Sequence, residues 1–138
     1  MKLNTYLFFD GKCEAALNFY AAALGGKIEA MLRYEGMPDC DDGQMPAGWG
    51  DKIMHGRISV GDVLLMGSDA PPGRHKAPQG FSVNIGVDTA EEAERVFHAL
   101  AEKGTVTMPI AETFWAIRFG MLVDQFGTPW MVNCEKPH

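Results

Sequence analysis

The chain is expected to adopt an α+β fold made of two βαβββ modules. Three observations predict this. The order strand, helix, strand, strand, strand can be followed twice along the 138 residues. Each helix pattern is closed by a glycine followed at once by a strand pattern. Laying Phe19 over Phe97 also brings Glu14 onto Glu92, Ala15 onto Ala93, Gly26 onto Gly104 and Ile28 onto Val106, so the halves share more than amphipathicity.

Residues 3–9, Leu-Asn-Thr-Tyr-Leu-Phe-Phe, are apolar and aromatic, as in a strand buried on both faces, and Asp10-Gly11 breaks it. From Cys13 to Leu24, the residues Ala16, Leu17, Tyr20 and Leu24 recur at helical spacing until Gly25-Gly26 stops them. Lys27–Tyr34 is the next strand. Glu35–Asp51, rich in Gly, Pro and Asp, has no counterpart in the other half. A loop of that length serves as a lid or binding loop, or is simply mobile. Ile53–Val60 and Val63–Gly67 are joined by Gly61-Asp62, a hairpin turn.

The segment from Pro71-Pro72-Gly73 to Pro78-Gln79-Gly80 reads as a linker. After it come a strand over Phe81–Val87 and the N-cap signal Asp88-Thr89, with Thr89 and Glu92 at capping-box spacing. The helix runs to about Lys103, ends at Gly104, and a strand starts at Thr105. Thr113–Val123 and Thr128–Cys134 follow, joined through Asp124-Gln125-Phe126-Gly127. The organisation is thus one domain over 1–138, with module one at about 1–70, a linker at about 71–79 and module two at about 80–138.

Hydrophobic residues at 46% and charged residues at 22% exclude a disordered or fibrous chain. No apolar run approaches the ~20 residues a membrane helix needs, and Met1-Lys2-Leu3-Asn4-Thr5 lacks the apolar core of a signal peptide. The expected location is therefore cytoplasmic. A net charge of −6 without a Lys/Arg cluster argues against nucleic acid and against an anionic membrane surface. Cys13, Cys40 and Cys134 are odd in number and widely spaced, so neither a disulfide framework nor a structural zinc site is expected.

Several segments carry a family resemblance. They are Phe9-Asp10-Gly11-Lys12-Cys13-Glu14-Ala15-Ala16-Leu17-Asn18-Phe19-Tyr20, Ile53-Met54-His55, Gly61-Asp62, Met66-Gly67-Ser68-Asp69, Thr113-Phe114-Trp115, Phe119-Gly120 and Asp124-Gln125-Phe126-Gly127-Thr128-Pro129-Trp130. In this order, over almost the whole chain, they resemble the PhnB-like branch of the vicinal oxygen chelate superfamily, which includes glyoxalase I, extradiol dioxygenases and bleomycin and fosfomycin resistance proteins. The resemblance implies strands curving around a cavity with helices outside, and commonly a homodimer.

It also implies where a metal would sit. Metal-dependent members take His, Glu or Gln ligands from four inward strand positions. The corresponding windows here are Leu3–Tyr6, Val63–Met66, Phe81–Asn84 and Trp130–Asn133, and none contains His, Glu, Asp or Gln. Met131 or a neutral neighbour stands where the family's glutamate usually is. Neutral, mostly apolar positions do not compete with water for a divalent ion, so no cofactor is expected. Asp39-Cys40-Asp41-Asp42 lacks the spacing of a calcium loop and reads as a solvated loop.

His55 is the one histidine centred in a strand pattern. It is either an acid/base or ligand-holding group, or a structural histidine bonded to backbone or to Asp69. His75, His98 and His138 read as solvent-facing. Phe8, Trp115, Phe119 and Trp130 either line a pocket for a flat ligand or pack the core. Trp115 is the best pocket candidate among them. Arg118, in an otherwise apolar run, would clamp a carboxylate or phosphate if it points inward. Strand alternation sets Ala116, Arg118 and Gly120 against Trp115, Ile117 and Phe119, so Trp115 and Arg118 converge only through a bulge. Thr5, His55, Asp69, Trp115, Arg118 and Met131 form the candidate ligand-binding set, with His55 as the catalytic candidate.

Cys13, near a helix start, has a place where a thiol pKa can fall, although packing is its plainer role. No nucleophile elbow or phosphate loop is present. A demethylubiquinone methyltransferase-like function is a label attached to this branch. The glycine-rich strand–loop–helix that S-adenosylmethionine commonly requires is absent, so the label carries no expectation of that activity. The expected function is metal-free binding of a small molecule, in the manner of bleomycin-resistance proteins. The alternatives are an enzyme using His55, with Asp69 or Arg118, on a small carbonyl or phosphonate-like metabolite, and a dimerising domain whose cavity is filled by its own side chains.

Overall fold

The computed structural model describes residues 1–36 and 48–137. The acidic loop Asp39–Asp42, Cys40, most of the Glu35–Asp51 insertion and His138 lie outside the described residues. The chain divides in the Pro/Gly-rich linker into two compact units, Met1–Lys76 and Ala77–His138.

The first unit contains β1 (Thr5–Phe9), α1 (Cys13–Leu24), β2 (Lys27–Arg33), β3 (Ile53–Val60) and β4 (Val63–Asp69), with short 3-10 turns at Tyr34–Gly36 and Trp49–Asp51. Its sheet runs β1-β4-β3-β2, with β1 parallel to β4 and the other pairs antiparallel. The second unit repeats the plan with β5 (Val83–Gly86), α2 (Ala90–Ala101), β6 (Thr105–Ala111), β7 (Ala116–Val123) and β8 (Pro129–Glu135). Its sheet runs β5-β8-β7-β6, with β5 parallel to β8. Both modules of the expected α+β fold are present.

One face of each sheet packs on its helix. In the first unit Leu7, Phe9, Ile58 and Leu65 meet a helix face of Cys13, Ala16, Leu17 and Tyr20, all buried. In the second, Leu122, Trp130, Val132 and Cys134 lie under Ala93, Val96, Phe97 and Leu100. The capping signal at Thr89 is realised on one side: its hydroxyl accepts the Glu92 amide N–H at 3.1 Å. The Glu92 carboxylate turns to Arg95 instead of closing the box. The Gly61-Asp62 turn joins Val60 directly to its partner Val63, with φ +58° at Gly61, as a glycine-first hairpin turn requires.

The terminating glycines have the same job in both units. A Cβ on Gly26 would come within 2.7 Å of the Ser59 carbonyl oxygen, and one on Gly104 within 2.5 Å of that of Val123. The helices have equal length, Cys13–Leu24 and Ala90–Ala101, within one residue of the register that lays Phe19 over Phe97. The side chain covering Gly56 is Leu17, and the one covering the equivalent Gly120 is Phe97. Phe97 is buried, whereas Phe19 is only half-buried.

Candidate functional site

In β1, Leu7 and Phe9 turn towards α1, which leaves Tyr6 (37% exposed) and Phe8 (56% exposed) on the opposite face. The strand is thus buried on one face, not on both. Register carries this open face across the sheet. Tyr6 lies opposite Met66, Met66 opposite Arg57, and Arg57 opposite Ala30. In the adjoining row Phe8 lies opposite Ser68, and His55 opposite the exposed Leu32.

The two rows are joined by a side-chain pair. The Tyr6 hydroxyl lies 3.1 Å from Nδ1 of His55, and the two rings stack with centroids 5.7 Å apart at 27°. Phe8 leans on Tyr6 at 5.1 Å. When the phenol donates to Nδ1, the imidazole keeps its proton on Nε2 and can offer it to a bound group. His55 and Phe8 thus share one exposed patch with Tyr6. Tyr6 and Arg57 did not stand out in the sequence, because β1 read as buried on both sides; counting alternate positions outward from Leu7 and Phe9 is the signal that finds Tyr6.

Asp69 has a different task from the ligand or His55 partner expected of it. It is 1% exposed, with Oδ1 accepting the Cys13 amide and Oδ2 the Ile53 amide, both at 2.9 Å. Its backbone oxygen accepts the Tyr34 hydroxyl at 2.7 Å. Burial, reinforced by the charge of Asp69, pushes the Tyr34 phenol above its ordinary pKa. An open cleft of about 410 Å³ lies beside Asp69. Two of its charges pair, Arg33 with Glu14 (Nη2 to Oε2, 2.7 Å); Arg33 also donates to the Asp51 carbonyl oxygen and Lys52 to the Gly11 carbonyl oxygen. Thr5 shares the parity of Leu7 and Phe9, on the α1 side of the sheet.

Cys13 departs from the lowered thiol pKa that its place at a helix start suggested. Burial first, then the charges of Asp69 and Glu14, push the thiol far up, and Asp69 already occupies its backbone N–H. A protonated, buried thiol is a poor nucleophile. Cys13 and the buried Cys134 are therefore expected to resist iodoacetamide in the folded protein at pH 8 and to react fully in denaturant, as read by peptide mass mapping. Native-state labelling of Cys13 as fast as that of a free thiol would contradict this.

In the second unit, Trp115 is 43% exposed and sits edge-on to Phe114 (4.9 Å) and Phe119 (5.3 Å). Arg118 is held against α2, with Nε donating to Glu94 at 3.1 Å and Nη1 to the Ile117 carbonyl oxygen at 2.7 Å. Trp115 and Arg118 thus do not converge. Trp130 belongs to the core: it is 1% exposed, and its indole N–H donates to Asp124 Oδ2 at 2.7 Å. Met131 lies half-buried on the face away from α2, opposite Asn84 and Met121. A polar hollow of about 340 Å³ at the ends of β5 and β8 is bordered by Asn84, Asp88, Asn133 and Glu135.

The fit of a divalent ion can be judged unit by unit. On the face away from the helix, the parallel strand pairs present Tyr6, Phe8, Met66 and Ser68 in the first unit. They present Asn84, Gly86, Met131 and Asn133 in the second. Among the described residues no three His, Cys, Asp or Glu side chains are grouped to hold a metal. A phenol, thioethers, a hydroxyl and amides are weak donors against water, and neither set fits the superfamily's ion.

Comparison with known proteins agrees with this architecture. The chain is 34% identical to the protein YjdN of Escherichia coli K12, over 99% of this chain and 97% of that one. It superposes on the structure of protein PA1353 from Pseudomonas aeruginosa with a TM-score of 0.88 and 46% identity, covering 99% of both chains. For a putative 3-demethylubiquinone-9 3-methyltransferase, PhnB protein, from Bacillus cereus, the TM-score is 0.80 and the identity 26%, over 97% of this chain and 99% of that one. A glyoxylase/bleomycin resistance protein/dioxygenase domain from Frankia shares the fold alone, with a TM-score of 0.71 at 11% identity over 99% and 98%. The family model described as 3-demethylubiquinone-9 3-methyltransferase matches residues 1–133. The chain belongs to that family, within the PhnB-like branch of the vicinal oxygen chelate superfamily.

Proposed function

We propose that the protein binds a small organic molecule on the open sheet face of its first unit, over Tyr6, Phe8 and His55, without the superfamily's divalent metal. The observation that carries this reading is the Tyr6–His55 pair: two stacked, hydrogen-bonded rings left accessible beside an exposed phenylalanine. Such a patch offers a flat apolar contact together with two polar atoms that fix orientation, the combination small-molecule sites use. The metal-free part rests on the donor chemistry above. The reading includes a cytoplasmic homodimer, in keeping with exposed apolar residues outside that patch, Val63 and Phe114.

Methyl transfer is not part of it. The two strand-to-helix junctions read Asp10-Gly11-Lys12 and Val87-Asp88-Thr89, neither of them a glycine-rich cradle. The first helix start is already taken by the Asp69 carboxylate.

The test is ligand-observed NMR with metal-stripped protein and a panel of aromatic and carbonyl metabolites. Binding by wild type is expected, with at least a roughly tenfold loss in Phe8→Ala and in His55→Ala. Binding that needs added Zn²⁺ or Mn²⁺, or that ignores both substitutions, would overturn the reading. The 3.1 Å phenol–imidazole contact also favours a second reading, an enzyme acting on a small carbonyl or phosphonate-like metabolite with His55 as acid/base. It requires turnover that drops by about 10²–10⁴ in His55→Ala.

A further inference from the structure

The open face of the first unit carries a cation that its neighbours do not use. Arg33, Arg95 and Arg118 each pair with a glutamate, Glu14, Glu92 and Glu94 respectively. Arg57 is exposed and makes no side-chain hydrogen bond or ion pair among the described residues. Glu29, at the bulge of the neighbouring strand β2, gives its carboxylate to the Ser59 hydroxyl at 2.8 Å instead.

The surroundings of Arg57 are what make it informative. Gly56 and Ile58 turn towards α1, which places Arg57 on the same face as His55. It stands opposite Met66, which in turn stands opposite Tyr6. Two strand spacings separate Arg57 from Tyr6, about 10 Å between backbones, a span that one aromatic ring with an acidic substituent fills when both side chains lean inwards. The floor between them is the Met66 thioether, a soft contact for a ring.

We propose that Arg57 selects the charge of the ligand: the site takes a planar aromatic anion, its carboxylate held by the Arg57 guanidinium and its ring lying over Met66 against Tyr6 and Phe8. This rests on the open-face reading above and names its substrate class. A guanidinium meets a carboxylate through two parallel N–H donors, which gives the contact direction as well as charge. A neutral ring would keep the stacking contacts and lose this one.

The experiment compares 4-hydroxybenzoate with 4-hydroxybenzamide by titration of the full-length protein in low salt. The acid is expected to bind on the order of tenfold tighter than the amide. Arg57→Gln should bring the acid down to the level of the amide and leave the amide within about twofold of wild type. Arg57→Lys should recover only part of the difference, because a lysine lacks the fork. Phe8→Ala should weaken both ligands. Equal binding of acid and amide by wild type, or an equal loss of both in Arg57→Gln, overturns the role of Arg57 while the aromatic site stands. Failure of both ligands at millimolar concentration, with the variants unchanged in their melting curves, overturns the open-face reading itself.

Discussion

Asp124→Ala is expected to destabilise the protein by about 3–5 kcal/mol, among the largest effects of any single change in the second unit. The carboxylate is 4% exposed and serves three donors. Oδ1 accepts the backbone N–H of Phe126 at 2.8 Å and of Thr128 at 3.0 Å, and Oδ2 accepts the indole N–H of Trp130 at 2.7 Å. The backbone of the same residue closes the turn, donating to the Thr128 oxygen and accepting from Gly127, whose φ of +90° suits glycine. Alanine would leave these donors without their acceptor, two of them in buried bonds, and an unsatisfied buried donor costs about 1–3 kcal/mol. Asparagine keeps one acceptor oxygen and turns an amide N–H₂ towards a donor, so Asp124→Asn should lose roughly half as much. Urea unfolding followed by circular dichroism measures both. A loss below about 1 kcal/mol for alanine would mean the turn holds without its carboxylate.

This turn shows which parts of the sequence could be read for fold and which for chemistry. Asp124-Gln125-Phe126-Gly127-Thr128-Pro129-Trp130 pointed to a turn feeding a final strand, and in the structure the Asp124 carboxylate takes donors from Phe126, Thr128 and Trp130 within the segment, while Gln125 reaches out to the Glu102 carbonyl oxygen. Local spacing also sufficed for α1 over Cys13–Leu24 and for β3 over Ile53–Val60, where the expected limits and the observed ones coincide. It failed at the start of β7. The Thr113 hydroxyl accepts the N–H groups of Trp115 and Ala116, which holds Thr113–Trp115 as a turn, and the strand begins only at Ala116. A side chain competing for backbone donors leaves no mark in the apolar pattern.

The candidate site was less legible than the fold, for the same kind of reason. His55 stood out as a histidine inside a strand, but its partner Tyr6 is 49 residues away and became visible only once β1 and β3 were placed in one sheet. Arg118 read as a clamp because its strand is apolar; Glu94, 24 residues earlier on α2, claims it. Asp69 read as a functional acid for want of a local partner, and its partners lie 56 and 16 residues away. A polar residue in an apolar run signals that something pairs with it. Whether that partner is a ligand or the protein's own backbone depends on contacts far apart in the chain.

Asp69→Ala should have an effect like that of Asp124→Ala, about 3–5 kcal/mol, with a second consequence that separates it from a simple loss of stability. The residue ends β4, and its two oxygens hold the first amide of α1 and the first amide of β3. No side chain caps α1 from within the chain segment before it, since Lys12 at the cap makes no such bond. Asp69 is therefore the cap, reaching in from another strand. Ile53, the other amide it holds, lies two residues before His55 on β3. Freeing that strand start should let His55 drift from Tyr6, because the contact between them is a single 3.1 Å hydrogen bond and a stack. Asp69→Asn, which keeps one of the two acceptor bonds and should cost about 2–3 kcal/mol, is the informative variant: it should remain folded at 15 °C yet bind ring ligands more weakly than Asp124→Asn of equal melting temperature. Equal affinities in the two would confine Asp69 to holding the fold, whereas a selective loss would make it a positioning residue for the open face.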